Sequence, residues 1–375
     1  MNAYRKVVPL LFLAAVGLYV GVSMLYEPQV VPRAPKQLTR EAAVPGEATL
    51  FFGGDTGEID AAEHTLEFYG YQYPFSLTVD LMRDADVAIV NLEAPITAGG
   101  TRFPLYKDYI YRAPPESARA LAWAGIDIVT LANNHAVDYG TDGLGDTISL
   151  VEKNGLVAIG GGENLAEARR GAIITVGNIR FGLLAYCENQ ILWRTYVRLF
   201  AGAHSGGAAP LTERSLKEDI ARLRPQVDVL IVSLHIGYNY QPPLPSTITW
   251  SKRAIDLGAD LVVDHHPHVA HPAMLHRGKP ILLSLGNYVF GTPGHPELDY
   301  GWLAEVHASA RPDGNKIDRI EMIPLAVQND RVHFRPLPLA GDELTRALEK
   351  FRNDSLGYDA SLEITRGRAV FNIKR

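Results

Sequence analysis

The chain has 375 residues, of which 47% are hydrophobic and 21% are charged, close to the averages of soluble globular proteins. This composition excludes a disordered chain, a collagen-like chain and a membrane protein with many spans. The formal net charge of -6 argues against a nucleic-acid partner, and a single cysteine, Cys187, excludes an internal disulfide and a cysteine-rich zinc site.

The N-terminal segment is uncharged from Val7 to Leu25, directly after Arg5 and Lys6. A helix of this length spans about 28 Å, close to the thickness of the hydrocarbon core of a membrane. We therefore predict a signal anchor, that is, a transmembrane helix, over residues 1–26, with a cleavable secretory signal and a buried core helix as alternatives. Because the two cations would stay in the cytoplasm, we expect a single-pass protein of the cell membrane whose remaining chain is extracytoplasmic.

The next part of the chain is predicted to be a linker and then an α/β domain. Residues 27–46 contain several prolines and little apolar periodicity, which predicts an extended linker. From Ala48 onward, short runs rich in Val, Ile and Leu alternate with helical patterns, which indicates an α/β sandwich whose strands are covered on both faces. The predicted strands are Ala48–Gly53, Val87–Leu92, Ile126–Leu131, Leu156–Ile159, Ala172–Val176, Arg180–Ala185, Val229–His235, Leu261–Asp264 and Ile281–Leu285. The predicted helices are Pro115–Ala124, Gly143–Asn154, Glu213–Arg224 and Thr249–Leu257.

The pattern changes after about Arg311. Strands are predicted at Ile317–Pro324, Arg331–Pro336 and Arg368–Ile373, and an amphipathic helix at Asp342–Asp354. We predict one domain over residues 47–310, with residues 311–375 as an α+β extension of it or a small terminal subdomain.

Polar clusters follow five of the predicted strands directly, and ligand sites in open α/β sheets form at the carboxyl ends of strands. Taken singly, most of these clusters have a structural explanation, such as a turn aspartate, a helix-start glutamate or a buried histidine. Taken together, ligands of mixed type from separate strand ends describe a dinuclear metal centre that activates a water. The clusters are Gly53–Gly57, Val90–Glu93, Ala132–His135 with Asp138–Gly140, His235–Tyr240 and Asp264–His268. A sixth and weaker element is Ser284–Phe290.

The histidines and carboxylates carry most of this argument. His266 and His268 alternate around a proline, and in an extended segment both rings would lie on one side. Imidazole with carboxylate ligands suits Mn, Zn or Fe, so we expect one or two divalent ions. Asp55 would be a ligand, Glu93 would bridge two cations, and Asn134 offers an amide oxygen.

The residues after the third of these strands suggest acid–base chemistry. His135 would work as an acid or hold a negatively charged oxygen, and Asp138 would orient its imidazole. Asn133 and Asn287 are candidate substrate contacts.

These motifs resemble the CapA-type proteins of capsule and poly-gamma-glutamate synthesis, which are similar to calcineurin-like metallophosphoesterases. The resemblance covers roughly residues 48 to 310 and implies a four-layer α/β/β/α metallophosphatase-like sandwich. It also implies that Asp55 and His268 bind one metal and that Glu93 bridges, with His135 as the catalytic acid or oxyanion clamp. The implied ligands of the other metal are Asn134, His235 and His266. The matching segments are Gly54–Asp55, Asn91–Glu93, Ala132–Ala136 with Asp138–Gly140, His235 with Gly237, His265–Val269 and Ser284–Phe290.

Another matching segment, Tyr111–Pro114, contains Arg112, which would hold an anionic substrate group. Two positions depart from the pattern. Gly57 stands where many calcineurin-like enzymes have a histidine, and Asn239 replaces an acid. Both changes remove groups that would bind a metal or transfer a proton.

The leading hypothesis is a membrane-anchored, extracytoplasmic, metal-dependent hydrolase or transferase that helps to make, export or trim an anionic capsule polymer such as poly-gamma-glutamate. Its expected partners are the membrane, an anionic polymer or phosphorylated substrate, and membrane synthase subunits. The alternative is a non-catalytic polymer- or metal-binding subunit of a membrane synthase complex, which Gly57 and Asn239 favour. A third reading, a secreted phosphatase, requires only that the signal is cleaved.

Overall fold

The computed structural model describes residues 30–103, 107, 109–189, 198–291, 300–311, 314 and 316–373. Residues 32–375 belong to one compact unit with a mixed α/β fold. The predicted signal anchor over residues 1–26 lies outside the described residues. Within the described part of the chain, no helix combines the length and the apolar character that a membrane span requires.

The strands and helices alternate over most of the chain. In chain order the strands are β1 (Lys36–Arg40), β2 (Glu47–Gly57), β3 (Val87–Leu92), β4 (Ile128–Thr130), β5 (Val157–Ile159), β6 (Gly161–Gly162), β7 (Ala172–Val176), β8 (Ile179–Glu188), β9 (Gly207–Ala208), β10 (Pro210–Leu211), β11 (Val229–His235), β12 (Leu261–His265), β13 (Ala273–His276), β14 (Lys279–Leu282), β15 (Asn287–Phe290), β16 (Tyr300–Ser309), β17 (Lys316–Ala326), β18 (Leu337–Pro338), β19 (Glu363–Thr365) and β20 (Arg368–Asn372). The helices are α1 (Glu63–Tyr69), α2 (Val79–Arg83), α3 (Glu116–Trp123), α4 (Gly140–Lys153), α5 (Leu165–Ala168), α6 (Glu213–Leu223), α7 (Pro245–Leu257), α8 (Asn329–Val332) and α9 (Gly341–Leu356).

The described residues form two large sheets and one small one. The first sheet has the strand order β1-β7-β8-β11-β12-β14-β13, with β10 beside β8. The second has the order β19-β20-β17-β16-β2-β3-β4-β5, with β15 beside β2 and β18 beside β17, and β6 pairs with β9. In the second sheet, β2, β3, β4 and β5 are neighbouring strands that pair in parallel. In the first sheet, the neighbouring strands β8, β11, β12 and β14 also pair in parallel.

One hydrophobic core joins the two large sheets. Leu50 and Ile89 of the second sheet and Phe181 and Ile231 of the first belong to the same buried cluster. Strands β3 and β11 are buried along their whole length, as their continuous apolar runs predict. Helices α6 and α7 pack on the first sheet, whereas α2 and α4 pack on the second.

The extended-linker prediction for residues 27–46 is wrong at Lys36–Arg40. These residues form β1, which pairs in parallel with β7 from Lys36 opposite Ala172 to Arg40 opposite Val176. Only Leu38 of this strand is buried. Backbone hydrogen bonds to β7 hold a polar edge strand that apolar periodicity does not reveal.

The predicted strand Arg331–Pro336 is also wrong. Its first residues belong to the helical turn α8, and His333 and Phe334 have positive φ angles of 49° and 60°. A left-handed backbone cannot continue a strand. The Asn329 amide fixes the turn by donating to the Phe290 carbonyl oxygen at 2.6 Å.

The segment after Arg311 lengthens the second sheet. Strand β17 pairs with β16 on one side and with β20 on the other. Helix α9 then packs Phe351 against Trp302, with ring centroids 4.4 Å apart.

Candidate metal centre

The carboxyl ends of strands from both large sheets meet at one place. In the second sheet, Asp55 of β2 lies opposite Asn91 of β3, and Glu93 follows β3. In the first sheet, His235 of β11 lies opposite His265 of β12. The register of parallel strands therefore gathers residues that are up to about 200 positions apart in the sequence.

A glycine lets the chain approach closely beside Asp55. A Cβ atom on Gly54 would lie 1.9 Å from the Gly286 carbonyl oxygen. That oxygen accepts a hydrogen bond from the Asp55 backbone N–H at 2.9 Å. The Gly-Asp pair at the end of β2 is thus needed to place β15, with Asn287, next to the aspartate.

The first group of possible metal ligands is Asp55, Glu93 and His268. All three side chains are buried, and their donor atoms lie within 4.8 Å of one another. His268 Nδ1 donates a hydrogen bond to Asn287 Oδ1 at 2.8 Å. With Nδ1 engaged in this bond, Nε2, 3.7 Å from Glu93 Oε1, is the ring nitrogen that can face a metal.

The second group is Glu93, His235 and His266, also buried and also within 4.8 Å. His235 Nε2 lies 2.7 Å from Asn134 Oδ1 and 3.4 Å from Glu93 Oε1. The rings of His235 and His266 have centroids 4.6 Å apart. Glu93 is therefore common to both groups, between the residues of the two sheets.

The donor set fits one or two divalent cations. Glu93 Oε1 has no hydrogen-bond partner among the described residues, although it is fully buried between His235 and His268. Two ligands of a tetrahedral ion at ~2.1 Å lie ~3.4 Å apart, close to the separations of this oxygen from the two imidazole nitrogens. Burial and the charge of Asp55 raise the pKa of Glu93 well above its usual value. A bound cation would remove this cost, because it would compensate the buried negative charge.

Asp55 is held by Asn91, by the backbone of His266 and by His265, of which only His266 was predicted to be a ligand. Asn91 Nδ2 donates to Asp55 Oδ1 at 2.8 Å, and the His266 backbone N–H donates to Asp55 Oδ2 at 3.2 Å. His265 Nδ1 lies 3.4 Å from Asp55 Oδ1. Burial raises the pKa of Asp55, but the interactions with His265, His268 and Asn91 outweigh it and leave this pKa below its usual value.

His135 and Asp138 form a buried pair beside the two groups. His135 Nδ1 donates to Asp138 Oδ2 at 2.6 Å, and the Tyr111 backbone N–H donates to the same oxygen at 2.7 Å. The Tyr111 ring stacks on the imidazole, with centroids 4.2 Å apart. The predicted orienting role of Asp138 agrees with these contacts.

Lys107 is a residue of this site that the sequence did not indicate. Its ammonium group contacts Asp138 Oδ1, donates to the Asn134 carbonyl oxygen at 2.8 Å and lies 2.9 Å from His135 Nδ1. Burial and the charge of Lys107 lower the pKa of His135 to about 4. The imidazole is therefore neutral at neutral pH when no metal is bound.

Two of the three predicted substrate contacts hold other residues of the site in place. Asn133 is fully buried; its amide donates to Asn91 Oδ1 and to the Leu92 carbonyl oxygen, and its Oδ1 accepts from the His135 N–H. Asn287 fixes the ring of His268. Arg112 alone is exposed, and its guanidinium lies over the Tyr139 ring at 4.8 Å.

His266 and His268 do not lie in an extended segment, although their alternation had predicted one. Their backbone is not extended, since their φ angles are 100° and 60°. Left-handed turns, not strand alternation, aim the two rings, whose centroids are 6.2 Å apart. The preceding Asp264 points elsewhere, because its carboxyl group accepts a hydrogen bond from the Ser251 hydroxyl of α7 at 2.7 Å.

A family profile described as "Bacterial capsule synthesis protein PGA_cap" matches residues 49–292, which contain every ligand candidate named above. The chain belongs to the PGA_cap family. This membership confirms the resemblance to CapA-type proteins.

Named relatives agree with the family. A probable polyglutamine synthesis accessory protein of Mycobacterium tuberculosis is 30% identical over 66% of this chain and 67% of its own length. The capsule biosynthesis protein CapA of Bacillus anthracis is 28% identical over 79% of this chain and 70% of its own. The PGA biosynthesis protein CapA of Bacillus subtilis is 25% identical over 86% and 81%. Among solved structures, the calcineurin-like phosphoesterase YfkN of Bacillus subtilis matches 83% of this chain and 98% of its own, with 14% identity and a TM-score of 0.47.

Proposed function

We propose that this PGA_cap protein is a membrane-anchored, extracytoplasmic, metal-dependent hydrolase or transferase that helps to make, export or trim an anionic capsule polymer such as poly-gamma-glutamate. The observation that carries the metal-dependent part is Glu93 Oε1, buried without a hydrogen bond from the described residues between His235 Nε2 and His268 Nε2. Family membership supports a role in capsule polymer synthesis. The uncharged run Val7–Leu25 supports the membrane anchor and the extracytoplasmic location. We also assign the two sheets and their helices to a four-layer α/β/β/α sandwich.

The residues have separate tasks in this proposal. One or two divalent ions, of Mn, Zn or Fe, would polarise a phosphoryl or acyl oxygen and lower the pKa of a bound water towards ~7. Asp55 and His268 would hold one side of the centre and Glu93 the middle. Asn134, His235 and His266 would hold the other side. His135 would exchange a proton with the reacting groups, held in place by Asp138, and Arg112 would bind an anionic group of the substrate.

A second candidate function is a non-catalytic subunit of a membrane synthase complex. At Gly57, the space beside the backbone is filled by Ala94, Ile59 and Phe290, each 3.5 Å from where a Cβ would lie. Asn239 is exposed, outside both ligand groups. The chain therefore lacks two groups that would assist catalysis, and the same centre would bind the metal or the polymer without turnover.

Metal analysis and turnover separate these functions. The purified full-length chain is expected to contain one or two equivalents of metal and to hydrolyse a phosphodiester, a phosphomonoester or a gamma-glutamyl substrate with Mn or Zn. His266→Ala should lose the metal, whereas His64→Ala, an exposed histidine of α1, should keep it. Bound metal without turnover on these substrates, together with polymer production that survives His135→Ala, would reject the enzyme and favour the subunit.

A further inference from the structure

A cavity lies beside the residues that follow β2. It has a volume of about 420 Å³, within the range of ~300–1,000 Å³ that is usual for small-molecule sites. Arg112 and Tyr139 line it. Their sequence neighbours Tyr111 and Asp138 pack with His135, so two segments that line this cavity also hold the predicted catalytic histidine.

Glu58 lines this cavity and lacks a partner there. Its side chain follows β2 directly, and the residue is only 4% exposed. Neither carboxyl oxygen has a hydrogen bond from the described residues. Burial raises the pKa of Glu58 to about 8, which the nearby Ser117 hydroxyl offsets only in part. An unpaired buried carboxyl group is costly, so this position is suited to a ligand that brings hydrogen-bond donors.

The surroundings of Glu58 favour a cationic donor. Pro114 and Pro115 line the cavity, and neither has an N–H to offer. Asp60 and Glu63 add two more acidic groups to the lining. A positively charged ammonium supplies three donors and compensates the excess of carboxylates.

Arg112 gives the cavity the opposite charge at another point. Its guanidinium lies over the Tyr139 ring, which holds it beside the cavity and leaves its N–H groups available for an anion. A buried carboxyl group and a fixed guanidinium in one cavity match a group that carries both charges.

We propose that this cavity binds an amino-acid group with its ammonium against Glu58 and its carboxylate against Arg112. The proposal rests on the proposed function in one respect, namely that such a group would be the free amino end of a gamma-linked glutamate chain. Glu58 and Arg112 would then be specificity-determining residues that select chain ends over chain interiors, because only the end of such a chain carries a free ammonium.

Binding of a gamma-linked tri-glutamate to the full-length chain tests this assignment. Calorimetry would compare the peptide with its Nα-acetylated form, which lacks the ammonium but keeps the carboxylates. We expect the free amine to bind at least ~10-fold more tightly, as for a charged hydrogen bond. Glu58→Gln should abolish this preference, whereas Glu349→Gln, an exposed residue of α9, should keep it. Arg112→Met should weaken the binding of both peptides.

The cavity lining contains none of the candidate metal ligands, so peptide binding should not depend on metal. The affinities are therefore measured both with metal and with chelator. If the chain prefers the free amine but shows no turnover, the assignment of this cavity as an amino-acid site is supported even though the hydrolase proposal fails. Equal affinity for the two peptides, or a preference that Glu58→Gln leaves intact, would overturn it. Thermal unfolding checks that Glu58→Gln folds, and we expect its melting temperature to be unchanged or higher.

Discussion

Replacement of Glu93 by glutamine should have opposite effects on stability without and with metal. The ligand oxygens of Glu93 and Asp55 lie within 4.8 Å of each other. At an effective dielectric constant of ~20, two unit charges at that separation repel by about 3 kcal/mol. The metal-free protein must bear this repulsion together with the cost of burying the charge, or else the cost of keeping Glu93 protonated at neutral pH.

Glu93→Gln removes that cost, because the amide is neutral and similar in shape. Its amide group would face His235 Nε2 and His268 Nε2, which lie 3.4 Å and 3.7 Å from Glu93 Oε1. We therefore expect the variant to be about 1–3 kcal/mol more stable than the wild type in chelator. A metal present at 100 times its dissociation constant should stabilise the wild type by about 2.7 kcal/mol. The variant, which has lost the shared ligand, should gain little.

Urea unfolding at neutral pH, with EDTA and with MnCl2 or ZnCl2, measures both differences on the full-length chain. Glu349→Gln makes the same chemical change at an exposed position and should alter neither free energy of unfolding. A Glu93→Gln protein that is less stable than the wild type in EDTA would refute the electrostatic argument. Equal stabilisation of wild type and variant by metal would refute the bridging role of Glu93.

Three further predictions concern the supports of the site and the pH range. Gly54→Ala should lower the free energy of unfolding by about 3 kcal/mol or more in chemical denaturation, because the new Cβ would lie 1.9 Å from a backbone oxygen. The control is Gly145→Ala in α4, where a Cβ would meet nothing within 4 Å, and it should raise the free energy of unfolding by about 0.5–1 kcal/mol. Lys107→Met should raise the pKa of His135 above about 4, because the ammonium charge adds to the effect of burial; an unchanged value in an NMR titration would contradict this. Burial lowers the pKa of His271 to about 4, so the unfolded chain, near 6.5, binds more protons between these values. The free energy of unfolding should thus fall by about 3 kcal/mol as the pH drops from 6.5 to 4, and His271→Asn should remove that part of the slope.

Continuous apolar runs were the most reliable signal in the sequence. Val87–Leu92 and Val229–His235 are strands with the predicted bounds, since a strand covered on both faces needs apolar residues at every position. The weak signals failed where backbone pairing or a left-handed turn decides the structure, as at Lys36–Arg40 and His333.

The sequence alone predicted the kind of candidate site and most of its members. Asp55, Glu93, His235, His266 and His268 each lie near or just after the carboxyl end of a strand, and the rule that ligands bind at carboxyl ends is independent of tertiary detail. Their residue types then favour a metal with nitrogen and oxygen ligands.

Only the tertiary structure decided how these side chains are held and what surrounds them. Lys107 and Glu58 lie in segments without periodicity. Lys107 contacts Asp138, which lies in another segment of the chain. The carboxyl oxygens of Glu58 are buried without a hydrogen bond from the described residues, which no local pattern shows. Asn133 was predicted to contact substrate, and in the structure both its amide nitrogen and its oxygen form hydrogen bonds with other groups of the protein. The reason is that hydrogen-bond satisfaction and burial depend on pairs of segments, whereas local patterns report only on one segment at a time.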